Sequence, residues 1–137
     1  MRGQMSEAAG YILRIASERW VDRVFEMAIY FTSVRRNWKS GQTVLFLHRT
    51  QAGDAFVGYG IIAKTCGIDD LSEEERRDCK ASGWKSALEF QYVKRLDDPL
   101  LLKETFLKDT RLRGRYFHGL GLSRNQLHLI MKAVEPV

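Results

Sequence analysis

Apolar and polar positions along the chain divide it into short stretches of two kinds. "GYILRIAS" alternates Tyr11, Leu13 and Ile15 with Ile12, Arg14 and Ala16, the pattern of a strand with at least one buried face. Ser17 then offers an N-cap oxygen and Glu18 a first-turn negative charge to a helix over "ERWVDRVFEMA". Its apolar residues Trp20, Val21, Val24, Phe25 and Ala28 recur at helical spacing, with Asp22, Arg23 and Glu26 on the other side. "IYFTSVRRNWKSGQ" has no period, and "KSG" is a turn signal. "TVLFLHR" is rich in strand formers without full alternation, as a strand covered on both faces or turning around a barrel would be.

"TQAGD" predicts a hairpin turn into a partner strand, "AFVGYGIIAKT". Gly58 and Gly60 inside that strand mark a bulge, a barrel corner or the close approach of another group. Ser72 and Glu75 fit a capping box for a short exposed helix. In "WKSALEFQYVKRL" a strand resumes, and Asp98 with Pro99 predicts a helix through about Leu107. "KDTRLRGRYFHGLGL" reads as a loop, and Ser123 with Gln126 opens a last helix on a second capping box. Hairpin-connected strands with short helices between them predict an α+β fold, a small mixed β-barrel with short flanking helices rather than a doubly wound sheet. One domain over residues 1–137 is expected, residues 1–9 forming an N-terminal tail that need not be ordered.

Charge adds what periodicity cannot. The net charge is +5, yet two segments hold no Asp or Glu: 27–53, with Arg35, Arg36, Lys39 and Arg49, and 110–134, with Arg111, Arg113, Arg115, Arg124 and Lys132. Those nine cations leave the remainder of the chain at −4. Two such runs far apart in sequence predict one shared basic face for an anionic partner. Phe31 and Trp38 flank "TSVRRN", and Tyr116 and Phe117 sit in "RGRYFHG", so rings stand beside guanidinium groups in both. A ring supplies stacking, a guanidinium holds phosphate and a hydroxyl reads a base edge, which is what single-stranded nucleic acid requires.

Other chemistries find less. There is no G-x-S-x-G, phosphate-binding loop or dinucleotide fingerprint. Cys66 and Cys79 form no C-x-x-C pair, and no His or Cys stands at zinc-site spacing, so neither metal nor cofactor is expected. The acidic run around "SEEERRD" reads as a solvated helix face. With no apolar leader and no membrane-length apolar run, a cytoplasmic protein without membrane contact is expected.

"YILRIASERW", "TSVRRNWKSG", "SGQTVLFLH", "FVGYGIIAKT", "ALEFQYVKRL", "DDPLLLKETF" and "GLGLSRNQLHLI", in that order, resemble the EVE domain of the PUA-like superfamily over Tyr11 to Val134. An ASCH-type domain of the same superfamily is the near alternative. The resemblance implies a PUA-like pseudobarrel with a pocket at its mouth that encloses a modified or flipped base. By position, Trp20, Phe31, Thr32, Ser33, Trp38, Phe117 and His118 would form that pocket. Arg35, Arg36, Lys39, Arg113 and Arg115 would hold the backbone. The expected function is a non-catalytic nucleic-acid-binding module, for RNA ahead of DNA and with a modified base as one expected target. The alternative is an ASCH-type hydrolase of RNA or a nucleoside derivative, with Lys39, Lys64 or Glu89 as acid or base. A third reading docks the basic faces on a larger ribonucleoprotein.

Overall fold

The computed structural model describes residues 8–34, 36–109 and 117–134. Strand β1, Gly10–Arg14, runs parallel to β3, Thr43–Thr50, and antiparallel to β6, Leu120–Leu122. Between β1 and β3 the chain forms helix α1, Glu18–Met27, and a short strand β2, Ile29–Thr32. Strand β3 turns back into β4, Gly53–Gly67, which pairs with β5, Ser86–Leu101. Helix α2, Glu73–Ser82, links those two long strands, and α3, Arg124–Val134, closes the described chain. The strand order is β2-β5-β4-β3-β1-β6, and the architecture is an α+β half-barrel with three helices.

Local chemistry explains the ends of these elements. Ser17 Oγ accepts from the Trp20 amide, and α1 ends at Ala28 with φ 54. Both predicted capping boxes are present: Ser72 with Glu75, and Ser123 with Gln126, each pair exchanging two hydrogen bonds. The predicted tail is tied down at its inner end, since the Ala9 amide donates to the Leu122 carbonyl and the Gln42 side chain donates to that of Ala8.

Strand β3 is buried on both faces, as its unbroken apolar run predicts. Val44 and Phe46 join Leu13, Val57 and Leu88 in one core cluster, while Leu45 and Leu47 join Ile12, Phe56 and Ile130 in another. The ladder slips between Phe46 and Leu47 and at three points between β4 and β5, and such bulges increase local twist and bend a sheet. Among the described residues, no helix is long and apolar enough to cross a membrane.

One predicted element is wrong. Asp98 and Pro99 do not open a helix; β5 runs through them, with Leu100 paired to Phe56 and Leu101 to Ala55. Strand β2 covers β5 only along Ser86–Glu89, so Pro99 lies on an edge, where a missing N–H costs no ladder bond. Only 3-10 turns follow, at Leu102–Glu104 and Phe106–Asp109.

Candidate functional site

The curl of the sheet opens a cavity of about 430 Å³ between α1, the end of β1 and β2, a volume in the range of small-ligand pockets. Strand β2 is one edge of the sheet and β1 lies next to the other, yet Tyr30 and Phe31 of the first and Arg14 of the second line the same space. Trp20 contributes one wall from α1. Trp84 contributes another, delivered by the left-handed turn of Gly83, φ 75, that ends α2. The Trp84 ring stacks on Phe31 with centroids 5.6 Å apart and meets Trp20 edge-on at 4.8 Å. Phe31 is buried behind this corner, while Trp20, Trp84 and Tyr30 are half-buried and line the cavity.

Cations ring the aromatic corner. The Arg23 guanidinium lies 5.2 Å from the centre of the Trp20 ring, and its Nε is buried with no acceptor among the described residues. Arg14 is held by Asp54 at 3.3 Å, a pair that is partly buried. The Arg14 amide donates to His118 Nδ1 at 2.9 Å, so the imidazole is held neutral with its proton on Nε2. Arg36 Nε donates to the Gly119 carbonyl at 2.7 Å. That bond joins the two acid-free runs directly, next to His118.

Neither a family model nor a curated protein matches the sequence. Solved structures do resemble the fold. The ASCH structure from Zymomonas mobilis superposes with a TM-score of 0.66 at 9% identity, covering 90% of this chain and 94% of that one. A serine-to-alanine variant of it gives 0.68 at 11% identity, over 96% and 100%. The YTH domain of Zygosaccharomyces rouxii MRB1, solved in complex with N6-methyladenosine RNA, gives 0.57 at 14% identity, over 93% and 86%. The fold is PUA-like.

Within this PUA-like frame the residues expected at the pocket are dispersed. Trp20, Phe31 and His118 line the cavity, and Arg36 lies beside His118 through Gly119. Ser33 is exposed after the end of β2. Thr32 is buried and its hydroxyl accepts from the Val34 amide, a local turn bond. Lys39 is exposed, its amide donating to Gln42 Oε1. Trp38 and Phe117 correct the expectation that both would form the pocket. Trp38 packs edge-on against Tyr11 at 4.8 Å, and Phe117 is 1% exposed among Ile12, Leu45 and Leu122, so it offers no face to a ligand. Arg35, Arg113 and Arg115 lie outside the described residues.

The acid–base candidates form a separate group. Lys64 Nζ lies 3.7 Å from Glu89 Oε2, which also accepts from the Cys66 thiol, and none of the three lines the cavity. Burial and the Glu89 contacts push the Cys66 thiol up to about 11, so it stays protonated at neutral pH. No group of three metal-ligating side chains occurs among the described residues.

Burial, then the charges of Arg36 and Arg14, hold the His118 imidazole below its ordinary value. The unfolded chain therefore takes up a proton first as pH falls below about 6.5. Stability carried by the neutral ring is complete above that value and is lost as pH falls through the folded-state one. His118→Asn keeps an acceptor near the Arg14 amide and removes the titration. Between pH of about 7.5 and 5, the melting temperature of the wild type is expected to fall several degrees more than that of the variant. Parallel falls would show that His118 is not buried neutral.

Proposed function

We propose that this protein is a non-catalytic RNA-binding module that takes one unpaired base into the cavity against Trp20 and Trp84. The observation that carries the reading is the Arg36–Gly119 bond, which brings the two acid-free runs together beside that aromatic cavity. A base leaving its stack needs a replacement surface, and the two indoles supply one. Arg36 and the cations of the adjoining runs meet the phosphates on either side. The YTH structure with N6-methyladenosine RNA supports this reading by its likeness of fold, and a modified base is included among the ligands proposed.

Fluorescence anisotropy with short single-stranded RNA tests it across salt concentrations. With about three phosphates neutralised, the logarithm of affinity falls against the logarithm of salt with a slope of about −2. Arg36→Gln is expected to make that slope shallower by roughly 0.7. No binding at low salt, or affinity indifferent to salt, would overturn the reading.

A further inference from the structure

The side chains around the cavity are unevenly divided between donors and acceptors. Of the twelve described residues that line it none is Asp, Glu, Asn or Gln. Arg14, Arg23, Trp20 and Trp84 can only donate, the one acceptor nitrogen of His118 is already taken by the Arg14 amide, and the Tyr30 hydroxyl can both donate and accept. Ser17 Oγ already accepts from the Trp20 amide. Asp54, which would balance the charge, takes Arg14 Nε and Nη2 from outside the lining and fixes the direction of the fork.

Arg23 is the most telling member. Asp22, its neighbour in sequence, pairs with Arg95 at 2.7 Å, while Arg23 Nε is buried without an acceptor among the described residues. A buried donor without an acceptor raises the energy of the unliganded state, and a small turn of the guanidinium toward the cavity would relieve it once an acceptor arrives there. The Arg23 guanidinium carbon lies over the Trp20 ring, so the group that would read a base edge is held against the aromatic wall of the cavity.

We propose that the cavity selects bases with a carbonyl oxygen at pyrimidine position 4 or purine position 6, uracil and guanine, over cytosine and adenine, which carry an amino group there, and that Arg23 makes the distinction. This rests on the base-binding reading above and narrows it to one ligand class. Uracil offers O4 and guanine offers O6 with N7, acceptors that a guanidinium can meet. Cytosine and adenine present an exocyclic amino group at the matching position, which would point a donor at donors and leave both unsatisfied. Sites built from hydrogen-bonding groups discriminate most strongly against ligands that leave those groups unpaired.

The test uses RNA nonamers in which only the central ribose carries a base, with an abasic nonamer as reference. The wild type is expected to bind the uracil and guanine nonamers about tenfold more tightly than the cytosine and adenine ones. Arg23→Gln, which supplies an acceptor as well as donors, is expected to shrink that gap below about threefold in a protein that still folds, each affinity being read relative to the same variant's binding of the abasic strand. Four bases bound alike, but better than the abasic strand, would overturn the selectivity and leave base binding standing. The same holds if cytosine and adenine bind more tightly, or if the full gap survives in a folded Arg23→Gln protein. No advantage of any base over the abasic strand would remove the base-binding reading and this inference with it.

Discussion

Gly58→Ala is expected to destabilise the protein by about 3 kcal/mol, read as a fall of roughly 10 °C in melting temperature. A Cβ at this position would lie 2.4 Å from the Lys94 carbonyl oxygen and 2.3 Å from Cζ of Phe25. The carbonyl belongs to β5, whose ladder with β4 pairs Gly58 with Arg95 and Tyr59 with Lys94 on either side of the contact. The ring is wedged as well, edge-on to Phe46 at 5.5 Å and under the Arg95 guanidinium at 5.4 Å. Neither neighbour can withdraw without disturbing the sheet or α1. Gly67→Ala is the control: nothing lies within 4 Å of its added Cβ, so its melting temperature should stay within about 2 °C of the wild type. The explanation fails if Gly58→Ala does the same. Because Phe25 shares α1 with Trp20 and Arg23, Gly58 also sets how closely the cavity's helical wall approaches the sheet.

Gly58 also shows what kind of feature a sequence displays. A glycine inside a β-forming run is unfavourable on its own terms, so it announces a neighbour that needs the space, and that neighbour is Phe25. Capping boxes are legible for the same reason: both partners lie within one turn of helix. The long strand through Asp98 and Pro99 was not legible. Whether a proline ends a strand or sits harmlessly on an edge depends on where β2 stops, a fact about another part of the chain. Strand β2 itself is four residues long, too short to show a period.

The site divides along the same line. Two acid-free runs could be read as one face, and the Arg36–Gly119 bond joins them. For the aromatic residues of these runs, lack of period did not mean exposure. Phe117 sits in an aperiodic stretch yet is buried, since the Gly119 amide bonds to the Ile12 carbonyl and draws the loop onto the core. Trp84, which opens a run read as strand, reaches the cavity only because α2 ends in a left-handed glycine. A Trp following a Ser-Gly helix stop is the signal that could have marked it.

Trp84→Ala is accordingly expected to weaken RNA binding about thirtyfold, close to 2 kcal/mol, within the range for loss of one stacked base. The substitution removes the cavity wall that meets Trp20 edge-on and uncovers Phe31, leaving a base one indole instead of two. Loss of packing also costs stability, so affinity must be measured well below the variant's melting temperature. Trp84→Phe keeps an aromatic face and should recover most of the affinity. Trp38→Ala separates stacking from general damage: it strips the edge contact from Tyr11 and lowers the melting temperature, but Trp38 does not line the cavity. Its RNA affinity should stay within about threefold of the wild type, since surface lost outside a binding site leaves affinity largely unchanged. If the two variants exchange these behaviours, the base is held in the basic segment around Trp38 and not in the cavity between α1 and β2.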